Sequence, residues 1–392
     1  MSDYINLPQE LILEILVRLP VEDLVKFTAV CKSWNSLIKN PNFISTHLGK
    51  SISSSSTNRL LFRQLETDAR LQYSLCLDNK ALHEYKQPPC PNGGCGFGVA
   101  GSYNGLVCLV RDMGFYYGST FILWNPAIKK AIHLPEPSVR YSSLYDAFIG
   151  FGFDSKTNDY KLLRLVVNVM NNHTEAEVYS LNANCWRRIT YIAPNYTPHF
   201  EDPGNYVNSF DELAWKNYCA NGFVKLAWRT YGNSFVNGSI HLLACDRNAY
   251  RILAFDVSEE VFSEIPLPDH LSNASNFICA NLLKYGESSI ATLTCEWEPS
   301  LMCTQRHLWV MKEYGVATSW TKVLAEAAAV SVPRVVFFRK DEEQIFLVRN
   351  EHLVVDSYVE SLVLLDKCCI NSPWNVISID EEPEDDDANS TG

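Results

Sequence analysis

Between Leu11 and Leu19 seven of nine positions are apolar, and the charged residues around them, Glu10, Glu14 and Arg18, recur at four-residue spacing on one side. In this stretch, LPQELILEILVRLP from Leu7 to Pro20, Pro8 suits a first helical turn and the two glutamates suit the positive end, while Pro20 stops the run. The pattern predicts a helix over Gln9–Leu19 whose apolar residues cover nearly all of its surface outside that one polar stripe. Such a helix needs cover on two sides. VEDLVKFTAVC, SWNSLIKN and NPNFISTHL predict further short helices: Leu24, Phe27 and Cys31 share one face, Trp34, Leu37 and Ile38 another, and Asn40 caps the last with Pro41 at its first position. A bundle of about forty residues buries too little area to cover itself, so a partner chain or the rest of this chain supplies the other side.

After Leu48 the pattern changes. GKSISSSSTNR reads as a Gly/Ser-rich linker, and beyond it short alternating apolar runs are broken by Asn-Gly, Asp and Pro. Four stretches, 121–135, 176–189, 251–268 and 307–324, each give an apolar strand, a polar turn and a second strand. Hairpins recurring at roughly 50–75 residues predict the blades of a kelch-like β-propeller, although the double-glycine signature of kelch repeats is missing and a β-sandwich stands as the alternative. The predicted organisation is α+β multidomain: a small all-α bundle over 1–48, a linker over 49–59, an all-β domain over 60–369 and an acidic tail over 370–392.

Composition narrows the function. The 392 residues are 47% hydrophobic and 20% charged, which is ordinary for a chain with a substantial core. No stretch has the length and apolarity of a membrane span or the charge layout of a signal peptide, so an intracellular protein is expected, cytoplasmic with the nucleus as a further site. Thirteen scattered cysteines without a CxxC pair fit reduced thiols, and the sequons at Asn172, Asn195, Asn237, Asn273 and Asn389 are then chance matches. Of the net charge of −12, seven negatives sit in DEEPEDDD, 380–387, leaving −5 elsewhere. Such a block is usually solvated. With no basic stripe to compensate, nucleic acid is not an expected partner, nor is a membrane.

Catalytic signatures are thin. GFGVAG, 96–101, satisfies GxGxxG but leads into LVCLV instead of a helix, so a phosphate would meet no helix N-terminus. Cys90 and Cys95 have no second pair at zinc spacing, the nine histidines are scattered, and HFE at His199 lacks a downstream PCxxC. No GxSxG elbow occurs, and vicinal Cys368 and Cys369 have only Lys367 nearby to activate a thiolate. No catalytic residue, cofactor or metal ligand is assigned.

The run from Leu7 to Leu48, with its two Leu-Pro pairs and VCKSW at 30–34, resembles the F-box. The resemblance implies docking on a Skp-type adaptor that links to a cullin and a RING subunit, with this chain as the substrate receptor of a ubiquitin ligase. It carries adaptor contacts onto Leu7, Pro8, Ile12, Leu16, Leu19, Pro20 and Cys31, with Trp34 partly core. Where many plant members have Lys-Ser after the second Leu-Pro, this chain has Glu22-Asp23, acids that still suit a helix N-terminus. GSYNGLVCLV (101–110), LWNPAIKK (123–130), GFGFDSKTNDYKLLRL (150–165), VYSLNANCWRRI and AFDVSEEVFSEIPLP resemble the F-box-associated interaction domain of plant F-box/kelch-repeat proteins. YVESLVLLD, 358–366, is similar to S-locus F-box proteins of the rose family, a narrower signal that implies basic S-ribonucleases as clients in self-incompatibility. Readings left open are a receptor for another client, in hormone, defence or stress signalling, and a propeller enzyme.

One stretch fits a cationic client by composition. From Tyr191 to Trp215 there are four acids, Glu201, Asp202, Asp211 and Glu212, and no Lys or Arg. Tyr191, Tyr196, Phe200, Tyr206 and Phe210 supply the aromatic anchors that dominate interfaces, and a long loop on a rigid scaffold often carries function. The stretch is the candidate client-binding loop. The competing reading folds its aromatics onto neighbouring blades and hides strands within it.

Overall fold

The computed structural model describes residues 8–53, 59–65, 71–79, 82–91, 97–111, 118–140, 145–168, 173–190, 197–198, 235–245, 250–272, 279–286, 288–298, 303–328, 335–338, 345–348 and 354–367. Four helices come first: α1 (Gln9–Leu16), α2 (Val21–Phe27), α3 (Lys32–Ile38) and α4 (Pro41–Ser53). α1 ends three residues earlier than predicted. The residue before Pro20 is disfavoured in the α region, and the chain tightens instead through Arg18 N–H to the Ile15 carbonyl and Leu19 N–H to the Leu16 carbonyl. α4 in turn runs to Ser53, past the position where the sequence predicts a linker, with the Ser53 hydroxyl donating to the Gly49 carbonyl.

The rest is a β-propeller, not a sandwich. The first blade pairs β1 (Arg59–Leu65), β2 (Leu71–Leu77) and β3 (Glu84–Lys86) with β23 (Val354–Tyr358) from the far end of the chain. The second holds β4 (Phe97–Tyr103), β5 (Leu106–Arg111), β6 (Phe121–Asn125) and β7 (Lys130–His133), and the third β8 (Tyr145–Asp154), β9 (Asp159–Asn168), β10 (Thr174–Ser180) and β11 (Cys185–Ile189). In the fourth, β12 (Thr197–Pro198) and β13 (Phe235–Val236) both pair with β14 (Ser239–Cys245), followed by β15 (Tyr250–Asp256) and β16 (Val261–Ile265). The fifth holds β17 (Cys279–Tyr285), β18 (Ser289–Glu298), β19 (Cys303–Met311) and β20 (Trp320–Ala328). A hairpin of β21 (Val335–Phe338) and β22 (Ile345–Val348) lies between the fifth blade and the first. Pairing of β23 with β1 closes the ring, the last strand of the chain completing the first blade.

The four predicted hairpins are the third and fourth strands of blades two to five. In three of these blades, and in the first hairpin of the third blade, one turn chemistry recurs. Asn125, Asp154 and Asp256 each accept through a side-chain oxygen from the backbone N–H two residues on, and Ser180 accepts from Ala183. Four residues after each, the backbone turns left-handed, at Lys129 (φ 55), Asn158 (φ 52), Glu260 (φ 58) and Asn184 (φ 49). The glycines of GFGFD matter for packing between blades. A Cβ on Gly150 would lie 2.3 Å from the Ile240 Cγ2 of the fourth blade, and one on Gly152 would lie 2.7 Å from the Phe235 ring.

Charge is buried where blades meet. Lys161 donates to Asp154, to Glu260 and to the Val257 carbonyl, all at 2.9 Å, and Ser258 donates to Asp154 at 2.6 Å. Burial alone would raise the Asp154 pKa, yet the hydrogen bonds from Ser258, Thr157 and Lys161 hold it well below the usual carboxylate range. Arg164 pairs with Glu177 across β9 and β10, and Glu177 also accepts from the Ser138 and Val139 backbone, tying down the connection into the third blade.

Candidate protein-docking surface

The helical bundle has two apolar sides, and this chain covers one. Leu16, Val17, Val21, Leu24, Ile38, Phe43 and Ile44 form a core, and Ala127 and Leu362 of the propeller complete it. The other side faces outward. Among the described residues, eight large hydrophobic side chains are exposed, and five of them, Leu11, Leu13, Ile15, Val30 and Ile52, belong to the first 52 residues. Since exposed apolar groups elsewhere are scattered singly, this concentration marks the bundle as the surface awaiting a partner.

Its geometry follows from local chemistry. Leu11 and Ile15, 45% and 52% exposed, stand one turn apart on α1 beside the Glu14–Arg18 ion pair. The Sγ of Cys31 accepts from Trp34 N–H at 3.4 Å and caps α3, while the Trp34 ring meets Phe27 edge-on at 5.4 Å. Val30, 61% exposed, sits in the connection this cap holds. From beneath, His47 of α4 bonds the Leu19 carbonyl through Nε2 at 2.9 Å, fixing the corner that presents exposed Pro20.

The sequence-predicted adaptor residues divide accordingly. Pro8, Pro20 and Cys31 lie at the surface, and Ile12, Leu19 and Trp34 are half-buried against the core. Leu7 lies outside the described residues. Leu16 is a correction: at 1% exposure it is locked inside the bundle, because the inward side of α1 is packed against α2 to α4 and the propeller. The exposed Leu11, Leu13, Ile15 and Val30 are not among the residues the resemblance marks; for Leu11 and Ile15 the sequence signal is their four-residue spacing beside the charged stripe. Tyr191, Tyr196, Phe200, Glu201, Asp202, Tyr206 and Phe210 all lie outside the described residues. Within that stretch Thr197–Pro198 pairs with Cys245 and Ala244, so a short strand stands where a continuous loop is predicted.

Among the described residues the chemical candidates of the sequence stay apart. GFGVAG falls largely on the buried strand β4, with no helix after it. Cys90 is half-buried and donates to the Pro91 carbonyl, and its predicted companion Cys95 lies outside the described residues, as do Cys368 and Cys369. Among the described residues no three His, Cys, Asp or Glu gather as a metal site, and no helix is long and apolar enough to cross a membrane. YVESLVLLD has a packing explanation: it closes the ring at Tyr358 and fills the seam between bundle and propeller at Leu362 and Leu364.

Together, a helical docking module and a closed β-propeller define a two-part binding protein. The profile of the F-box domain matches residues 5–46 and that of the F-box associated beta propeller domain matches 59–339, so the chain belongs to the plant F-box proteins with an F-box-associated propeller. It is similar to the F-box protein CPR1 of Arabidopsis thaliana, 26% identical over 91% of this chain and 83% of that one. An F-box/kelch-repeat protein of the same plant is also 26% identical, over 82% and 79%. Among solved structures the Dos1 propeller covers 74% of this chain and 75% of its own at 8% identity and a TM-score of 0.36, too low to argue from.

Proposed function

We propose that this protein is the substrate-recognition subunit of an SCF-type (Skp, cullin, F-box) ubiquitin ligase. The concentration of exposed apolar side chains on the bundle carries this reading: Leu11 and Ile15, one turn apart on α1, with Val30 beside the α3 cap, offer apolar area to a Skp-type adaptor. Through the adaptor come a cullin and a RING subunit. The propeller holds a protein client, and ubiquitin transfer gains from proximity without chemistry by this chain. The site of action is the cytoplasm, with the nucleus as a further compartment.

The client is a cationic protein on this reading, a basic S-ribonuclease being the instance the sequence resemblance implies. Its support is the acidic, aromatic composition of 191–215 alone, since the packing of YVESLVLLD accounts for that motif without a client. Capture from plant extract by the full chain, read by mass spectrometry, tests both levels. Adaptor and cullin should co-purify, and replacing Tyr196, Phe200, Tyr206 and Phe210 by Ser should remove the client while sparing them. Absence of adaptor and cullin would overturn the receptor reading, and clients indifferent to the replacement would overturn the loop assignment.

A further inference from the structure

The two modules meet at Ala127 and Ile128 of the β6–β7 turn and along a short segment, 361–367, whose residues face both ways. Leu362 is fully buried in the same cluster as Leu16, Leu24, Ile38 and Phe43 of the F-box. Two residues later Leu364, 1% exposed, packs in the propeller core with Leu106, Phe121 and Leu123. Leu364 has φ 74, a conformation that a leucine keeps only where its surroundings over-determine it.

Polar contacts hold the backbone of this segment. Asn125 is fully buried, and its Nδ2 donates to the Ser361 carbonyl at 2.9 Å and the Val363 carbonyl at 2.8 Å. Lys130 donates to the carbonyls of Leu365 and Lys367. Ser361 is itself fully buried against the Asn104–Gly105 turn, where a Cβ on Gly105 would lie 2.3 Å from its Oγ. The segment begins three residues after the end of β23, the strand that closes the ring.

We propose that 361–367 is a wedge joining F-box and propeller into one cooperative unit, so that the adaptor-facing side of α1 and the propeller keep a fixed mutual orientation. Domain pairs move freely by default unless their interface is apolar and well packed, and here one chain segment contributes a side chain to each core while its carbonyls are pinned from the second blade. A fixed orientation presents a bound client to the ligase at one distance and angle. That consequence rests on the receptor reading; the coupling itself does not.

Hydrogen exchange of the full chain across rising, sub-denaturing denaturant tests it. Core amides of α1 to α3 should open together with those of β5 and β6, in a single event of common denaturant dependence. In Leu362→Ser the helices should lose at least tenfold in protection relative to the wild type, and β5 and β6 should no longer open in the same event as the helices but at higher denaturant. Asn125→Ala, which leaves the apolar contacts in place, should give a smaller loss in the same helices. Helices that open alone in the wild type, at lower denaturant than β5 and β6, overturn the proposal. So does unchanged helix protection in both variants. Failure of adaptor binding would remove the receptor reading and leave the exchange result standing, so the two are separable.

Discussion

The Nε2 of His47 lies 2.9 Å from the Leu19 carbonyl oxygen, so α4 holds the Leu19–Pro20 corner from within the bundle. The ring stacks on Phe43 and its Nδ1 is buried with no hydrogen-bond partner. In the neutral ring Nε2 donates to Leu19, and protonation would add a buried N–H at Nδ1 with nothing to accept it.

Burial pushes the His47 pKa below its ordinary value, so the unfolded chain binds the proton more readily than the folded one. The bundle therefore keeps its full stability above about pH 6.5 and loses it as the pH falls toward the depressed folded value. Helix protection in hydrogen exchange should drop between about pH 7.5 and about pH 5.5, and His47→Gln, which keeps a donor but cannot titrate, should drop less. An equal drop in both would assign the effect to other groups, such as His133, whose pKa burial also lowers.

Leu16 and Ile15 are neighbours in sequence with opposite surroundings. Leu16→Ala empties part of the bundle core and should cost about 2–5 kcal/mol, whereas Ile15→Ala, at an exposed position, should stay within about 0.5 kcal/mol. Chemical denaturation checks both. Equal costs would mean that the side of α1 facing inward has been misassigned.

Glu177 is fully buried between Arg164 and the Ser138–Val139 backbone. Glu177→Ala leaves a buried guanidinium without its partner and should cost about 3–5 kcal/mol in denaturant unfolding. A loss under about 1 kcal/mol would show that the pair behaves as an exposed one.

Two glycines should respond with opposite signs. Gly150→Ala drives a Cβ into Ile240 and should destabilise by about 1–3 kcal/mol. Gly49→Ala, in α4 with nothing within 4 Å of its Cβ, should stabilise by roughly 0.5–1 kcal/mol through helix propensity. Thermal midpoints decide it: a Gly150→Ala protein as stable as the wild type would contradict the packing between blades three and four, and a destabilised Gly49→Ala protein would contradict open space beside α4.

What the sequence made legible was local. Alternation and polar turns marked the outer hairpins of four blades, because strand period and turn chemistry are written within some fifteen residues. The apolar run of α1 marked a helix needing two covers, but periodicity cannot say which side meets which partner; that choice is made by Ala127 and Leu362, each more than a hundred positions away. For the same reason Leu16 reads as a contact and proves to be core, while Leu11 and Ile15 pass unnoticed. Leu362 and Leu364 look like one apolar run in SLVLLD, and only the left-handed turn at Leu364 sends them into different cores.

The most direct test of the receptor account is a calorimetric titration of the purified full chain with a plant Skp-type adaptor, beside the variant Leu11→Asp/Ile15→Asp. The wild type should bind saturably at one to one, and the variant, forced to bury carboxylates in an apolar contact, should lose at least about a hundredfold in affinity with an unchanged unfolding midpoint. A wild-type chain that does not bind, or a variant that binds as tightly as the wild type, would contradict it.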